Sequence, residues 1–171
     1  MIADEPSPPD PAFPRYTQAA FPAYRYVPGR GAHPRRDPGG HSYGRPEPHT
    51  TPLDPAEWAQ SNVYLYAVDL YNFAYWWEAH ECFEVLWHQT DKVGPVGNLL
   101  QGVIQIAAGN LKRFMAAESA AQKLGARGLV RLATVPSPFL GLDVRGFEAE
   151  ARAYLAGERA APALMRLSPV G

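Results

Sequence analysis

Residues 96–116 read VGNLLQGVIQIAAGNLKRFMA, and their apolar side chains cover most of the circumference of a helix. A helix of this kind is stable only when neighbouring elements surround it, so we expect it to be the central helix of the domain. The whole chain has 171 residues, which is enough for one domain with a hydrophobic core.

Helical patterns on both sides of this segment predict four more helices, over residues 55–71, 73–89, 119–134 and 144–156. The first begins at Asp54-Pro55-Ala56-Glu57, which combines an N-cap Asp, a Pro at the first helical position and a Glu in the first turn. Asp143 is the expected N-cap of the last of these helices, at residues 144–156. The sequence contains no internal repeat and no convincing strand pattern. We therefore predict an all-α fold, an antiparallel bundle of about five helices over residues 53–157.

The remaining segments differ from the bundle in composition. Residues 1–55 hold 13 of the 18 prolines, which excludes regular helices or long strands there. We expect a disordered tail over residues 1–12 and, because aromatic residues follow it, an extended Pro/His/Arg-rich arm packed on the bundle over residues 13–52. The Ala/Pro-rich residues 158–171 are expected to fray.

Charge and cysteine content limit the classes of function. The net charge of −1 provides no overall field to attract nucleic acid or acidic lipid. A single cysteine, Cys82, excludes a disulfide framework and a Cys-rich zinc site. The N-terminus lacks the pattern of a signal peptide, and no apolar run reaches the roughly 20 residues of a membrane span. We expect a cytoplasmic protein without a membrane partner, and a homo-oligomer is compatible with the sequence.

The second predicted helix carries a polar cluster at the edge of an aromatic face. His80 and Glu84 are spaced i and i+4, so their side chains lie side by side, and Glu81 follows next to them. A metal site is one interpretation, with His80 and Glu84 as ligands, His33 and His41 of the arm completing the set, and Glu81 as catalytic base. Zn, Mn or Fe would suit these ligands, and a hydrolase-like reaction would follow.

Two other interpretations remain open from the residues alone. Gln101, Gln105 and Lys112 form a polar stripe on the central helix, which could bind a small polar or anionic ligand without catalysis. The polar residues could also form a hydrogen-bond network with a purely structural role. Arginines of the arm alternate with tyrosines, but without a matching basic face this is a weak signal for nucleic-acid binding.

The helical half resembles a known family. Asn72–Trp87, NFAYWWEAHECFEVLW, is similar to the E-A-H-E-x-x-E-x-x-W signature of the bacterial and archaeal domain of unknown function 309 family. Residues 101–108, QGVIQIAA, resemble the family's Q-G-x-I-Q-x-A-A segment, and Lys112 matches a basic position. Ala74 stands where glycine is frequent, so a less sharp turn is expected there. The resemblance extends over about residues 24–156 and implies a small all-α bundle, but no particular reaction.

Overall fold

A computed structural model describes residues 4–168 of the chain, and within these residues the regular structure is entirely helical. A 3₁₀-helix, Pro55–Gln60, precedes five α-helices: α1 (Asn62–Asn72), α2 (Trp76–Trp87), α3 (Pro95–Phe114), α4 (Glu118–Leu132) and α5 (Val144–Leu155). The predicted all-α fold is confirmed. None of these helices is long and apolar enough to cross a membrane.

The first predicted helix is divided in two. Asp54 is the N-cap as expected, and its Oδ1 accepts a hydrogen bond from the Ala56 amide at 2.8 Å. The segment it begins is only a 3₁₀-helix, however, because Ser61 takes an extended conformation and caps α1 in turn. Its hydroxyl oxygen accepts from the Tyr64 amide at 3.3 Å. A second cap so close to the first breaks the helix.

Helix α3 is the centre of the bundle, as its sequence predicted. It packs mainly against α4 and α2, and Leu99, Leu100 and Ile106 are at most 1 % exposed. Glycines let α3 and α4 approach closely: a Cβ atom added to Gly128 of α4 would lie 2.8 Å from the carbonyl oxygen of Gly102 in α3. No real Cβ sits that close to an oxygen, so this contact requires glycine.

Three helices end in the same left-handed turn. Residues Ala74, Ala116 and Gly157 have φ of 65°, 60° and 78°. After α1, the Tyr75 amide bonds to the Leu70 carbonyl and the Ala74 amide to the Tyr71 carbonyl. This hydrogen-bond pair is the Schellman motif, which usually has glycine at its left-handed position. The turn before α2 therefore has the usual geometry of this motif, although Ala74 occupies the position where glycine is common. The expectation of a less sharp turn is wrong.

The arm lies on the bundle and is held by a buried carboxylate. Asp69 of α1 is fully buried and accepts hydrogen bonds from the amides of Tyr16 and Thr17 at 2.8 and 2.9 Å and from the Thr17 hydroxyl at 2.7 Å. Arg15 pairs with the same carboxylate at 3.3 Å. Farther along the arm, Val27 is 1 % exposed and belongs to the core. The arm is thus an integral layer of the domain.

The segments expected to be disordered or frayed also make contacts where they are described. Glu5 pairs with Arg25 of the arm at 3.1 Å. Near the other end, Met165 is fully buried, and the Asn72 side chain both donates to its carbonyl at 2.9 Å and accepts from its amide at 2.7 Å. Where they are described, the two end segments are therefore more ordered than the disordered tail and the frayed end that we expected. Residues 1–3 and 169–171 lie outside the described part of the chain.

Candidate functional site

Helix α2 separates an apolar face from a polar flank. Ala79, Phe83 and Leu86 have no exposed surface and fix the helix against the core. The polar residues lie around the rest of its circumference. Because the buried face is tightly packed, it fixes the backbone positions from which the polar side chains extend.

A histidine between two carboxylates forms the most concentrated group of metal-binding side chains. His80 Nδ1 lies 3.4 Å from an oxygen of Glu81, and its Nε2 lies 3.2 Å from Glu84. One ligand atom from each of the three residues lies within 4.8 Å of the others, and within residues 4–168 no other group of three His, Cys, Asp or Glu does so. All three side chains are partly exposed. The arrangement can therefore hold a cation and still leave coordination positions open.

The environment of Glu81 changes the proton affinity of its carboxyl group. Burial raises the pKa of the Glu81 carboxyl group, and the negative charge of Glu84 raises it further, while His80 and Arg35 act in the opposite direction. The carboxyl group thus combines a partly desolvated position with close contact to an imidazole. This is the kind of environment in which acid–base groups of enzymes are found.

His41 does reach α2, but it contacts a different carboxylate. Its Nε2 donates to Glu78 at 2.9 Å, and its Nδ1 lies 2.8 Å from the Ser42 hydroxyl. Glu78 is 6 % exposed, and the same Oε1 also accepts from the Tyr26 amide at 2.8 Å. The arm therefore closes over α2 through Glu78, a residue that the sequence analysis did not select.

His33 packs against α2 without joining the cluster. Its ring meets the Trp77 ring edge-on with 5.4 Å between centroids. Its Nδ1 accepts from the Arg35 and Arg36 amides, both at 3.2 Å, and so stabilises a turn of the arm. The structure thus brings together His80, Glu81 and Glu84, and holds His33 and His41 at other positions on the helix.

The polar stripe of α3 consists of partly buried side chains. Oε1 of Gln105 is buried and has no hydrogen-bond partner among the described residues. Within residues 4–168, Lys112 takes part in none of the ion pairs found, so it does not neutralise Glu84. A ligand site formed by Gln101, Gln105 and Lys112 stays a prediction.

A large cavity lies elsewhere, between the arm and helices α1 and α2. Its volume is about 740 Å³, and Glu78 and Glu81 are among its walls, together with Arg35 and Arg45 of the arm. Neither His80, Glu84 nor the α3 stripe lines it. Glu81 is therefore the only residue shared by this cavity and the histidine cluster.

Fold and cluster together define a small all-α bundle that presents a histidine–carboxylate group on one helix beneath an extended arm. Residues 64–124 match the family model described as Domain of unknown function (DUF309), so the resemblance to this family is confirmed over that segment. The match runs from α1 into α4 and includes α2 and the whole α3 stripe. No curated protein and no solved structure matches the chain.

Proposed function

We propose that His80, Glu81 and Glu84 bind a divalent metal ion. The observation that supports this most directly is the convergence of one imidazole and two carboxylates within 4.8 Å on a single rigid helix. Nitrogen and oxygen ligands of this type suit Zn²⁺, Mn²⁺ or Fe²⁺. Three protein ligands on an open surface leave room for water or a substrate, which is typical of catalytic rather than structural metal sites.

A hydrolase-like reaction is the chemistry that such a site would support. A bound ion lowers the pKa of a coordinated water and polarises a substrate oxygen. Glu81 is the residue that connects the cluster with the cavity. In this proposal His80 and Glu84 hold the ion, and Glu81 binds it or takes a proton from the water beside it.

Metal analysis of the purified protein tests the proposal. The protein is prepared without a His-tag or chelator, and its metal content is measured before and after incubation with Zn²⁺, Mn²⁺ or Fe²⁺. We expect close to one ion per chain in the wild type and its loss in His80→Ala and Glu84→Ala. His49→Ala is the matched control, because His49 is an exposed arm residue outside the cluster.

Either of two results would contradict the proposal. The wild type could bind no ion at micromolar concentrations, or all variants could bind equally. The His80–Glu84 contact would then be an ordinary i, i+4 pair on a helix surface, which stabilises a helix by at most about 0.5 kcal/mol. In that case the polar residues have a structural role, or they bind a ligand other than a metal.

A further inference from the structure

Two arginines of the arm, Arg35 and Arg45, lie in the wall of the 740 Å³ cavity. Arg35 is half-buried, and Nη1 of its guanidinium donates to the Arg45 carbonyl at 3.4 Å. Within residues 4–168, this long contact is the one side-chain hydrogen bond of Arg35, and neither arginine takes part in an ion pair. A guanidinium has five N–H donors. Most donors of Arg35 are therefore not used by the described part of the protein.

The carboxylates of the same wall are either in contact with a histidine or solvated. An oxygen of Glu78 lies 2.9 Å from His41 Nε2, and an oxygen of Glu81 lies 3.4 Å from His80 Nδ1. The third carboxylate, that of Glu47, is exposed, so water solvates it. The charge that the wall leaves half-buried without a counter-charge is therefore positive, and it belongs to the first of the two arginines.

Much of the remaining wall is apolar or aromatic, and Phe21, Val63, Tyr66 and Val85 contribute to it. The volume of the cavity falls in the range of pockets that bind small molecules. Such pockets bury mainly apolar surface, and a few polar groups orient the ligand in them. A ligand that matches both parts of this wall has an apolar body and a group that accepts hydrogen bonds from a guanidinium.

We propose that the cavity binds a small organic carboxylate, with its charged group accepting hydrogen bonds from Arg35 and its apolar body between the arm and helices α1 and α2. Guanidinium and carboxylate groups match in geometry, and their charged hydrogen bonds are stronger than neutral ones. Arg45, whose carbonyl Arg35 contacts, adds a second positive charge to the wall. A phosphate monoester fits less well, because Glu81 and Glu47 in the same wall repel its additional negative charge.

Probes that share a phenylalkyl body but differ in their polar group test the charge of the ligand. Isothermal titration calorimetry in EDTA compares 3-phenylpropionate with 3-phenylpropanamide, 3-phenylpropylammonium and 2-phenylethyl phosphate. We expect the carboxylate to bind at least tenfold more tightly than each of the other three. Acetate, which has the charge but lacks the apolar body, should also bind at least tenfold more weakly than 3-phenylpropionate. Because the titrations contain EDTA, the outcome is independent of whether the histidine cluster binds a metal.

Neighbouring arginines in one turn of the arm provide a matched pair of variants. Arg35→Gln should weaken the binding of 3-phenylpropionate at least tenfold, because it removes the charge at the cavity wall. Arg36→Gln removes the same charge one residue away, but Arg36 is exposed and is not among the residues that line the cavity. We therefore expect Arg36→Gln to leave the affinity unchanged. An equal loss in both variants would show that the positive charge of the arm attracts anions without using the cavity, and it would overturn the proposal.

A third variant tests the position of the ligand and protects the test against loss of folding in Arg35→Gln. Val85 lies in the apolar part of the wall, so Val85→Phe narrows the cavity without removing a charge. It should weaken the binding of 3-phenylpropionate at least tenfold. Circular dichroism and thermal unfolding would establish that each variant is folded. Binding of any other probe as tightly as the carboxylate, unchanged affinity in Val85→Phe, or no binding by any probe would overturn the proposal.

Discussion

Asp69 shows how one buried side chain can determine the position of a whole segment. Its two oxygens accept from the backbone of Tyr16 and Thr17, and its charge is balanced by Arg15. Hydrogen bonds to a charged group are stronger than neutral ones, and they tie the arm to the middle of α1. The charged hydrogen bonds of Asp69 therefore hold the arm on α1 in addition to its apolar contacts.

Replacing Asp69 with alanine should release the start of the arm. The amides of Tyr16 and Thr17 would lose their acceptor, which we expect to lower the free energy of unfolding by about 3 kcal/mol. Limited proteolysis with trypsin should then cleave after Arg15 much faster than in the wild type, and urea unfolding gives the change in stability. Asp143→Ala, which removes the cap of α5 and a contact with Ser137 far from the arm in sequence, should leave cleavage at Arg15 unchanged. Slow cleavage in Asp69→Ala would show that other contacts hold the arm.

The difference between Glu78 and His80 shows what could be predicted at the residue scale. His80, Glu81 and Glu84 belong to one helix, and helical spacing was sufficient to place them together. The partner of Glu78 is His41, which lies 37 residues away in an arm without regular structure. No periodic pattern gives the path of such an arm, so the sequence indicated that it packs on the bundle, but neither that it covers α2 nor which carboxylate it contacts.

At the scale of the helix, the left-handed turns after α1 and α3 are the positions where sequence and conformation disagree, whereas the turn after α5 has the expected glycine. An alanine in this conformation is strained by about 1 kcal/mol, because its Cβ approaches the following carbonyl oxygen. Ala74 and Ala116 both bear this strain, whereas Gly157 does not. The hydrogen bonds of the Schellman motif and the tertiary contacts of the helices hold the turns despite it.

Ala116→Gly should stabilise the protein. Ala116 is exposed, so no buried methyl group is lost, and we expect a gain of about 0.5–1 kcal/mol after the greater freedom of glycine in the unfolded chain is subtracted. Gly157→Ala is the reciprocal change and should cost a similar amount. Urea or thermal unfolding measures both. If Ala116→Gly is destabilising, the strain assigned to this turn is absent.

The helix boundaries show where element-scale prediction succeeded. Asp54 and Asp143 were identified as caps, and both accept the expected amide hydrogen bonds. The error was to run one helix through Ser61, because apolar residues continue at helical spacing on both sides of it. Ser61 could either continue one helix or cap the start of another. Tertiary packing decides between the two, and the sequence pattern does not contain that information.

For the molecule as a whole, burial of weak acids makes stability depend on alkaline pH. Burial raises the pKa of the Cys82 thiol and of the Tyr66 phenol, each to about 12. Desolvation acts in the same direction on Tyr64 and Tyr71, whose pKa values are also raised. In the unfolded chain these groups lose their protons at their ordinary pKa values near 9 to 10.

Stability should therefore fall as the pH rises above about 9. Between the unfolded and folded pKa values the folded state binds more protons, so each such group lowers the free energy of unfolding by at most about 1.4 kcal/mol per pH unit. The stability that these protonated groups contribute to the folded state is fully present below pH 8, and it is lost progressively as the pH rises toward 12. Urea midpoints at pH 8, 9 and 10 measure the slope. Cys82→Ala should give a shallower slope between pH 9 and 10; an unchanged slope would exclude the thiol as a source.

The docking of the arm also has a consequence for the order of events during synthesis. Tyr26 bonds to Glu78, and Tyr16 bonds to Asp69, at sequence separations of 52 and 53 residues. The arm leaves the ribosome before the two helices that receive it, whereas α3 and α4 can pair as soon as both have emerged. The nascent arm must therefore wait unpaired, and its high proline content keeps it from forming wrong helices during that interval.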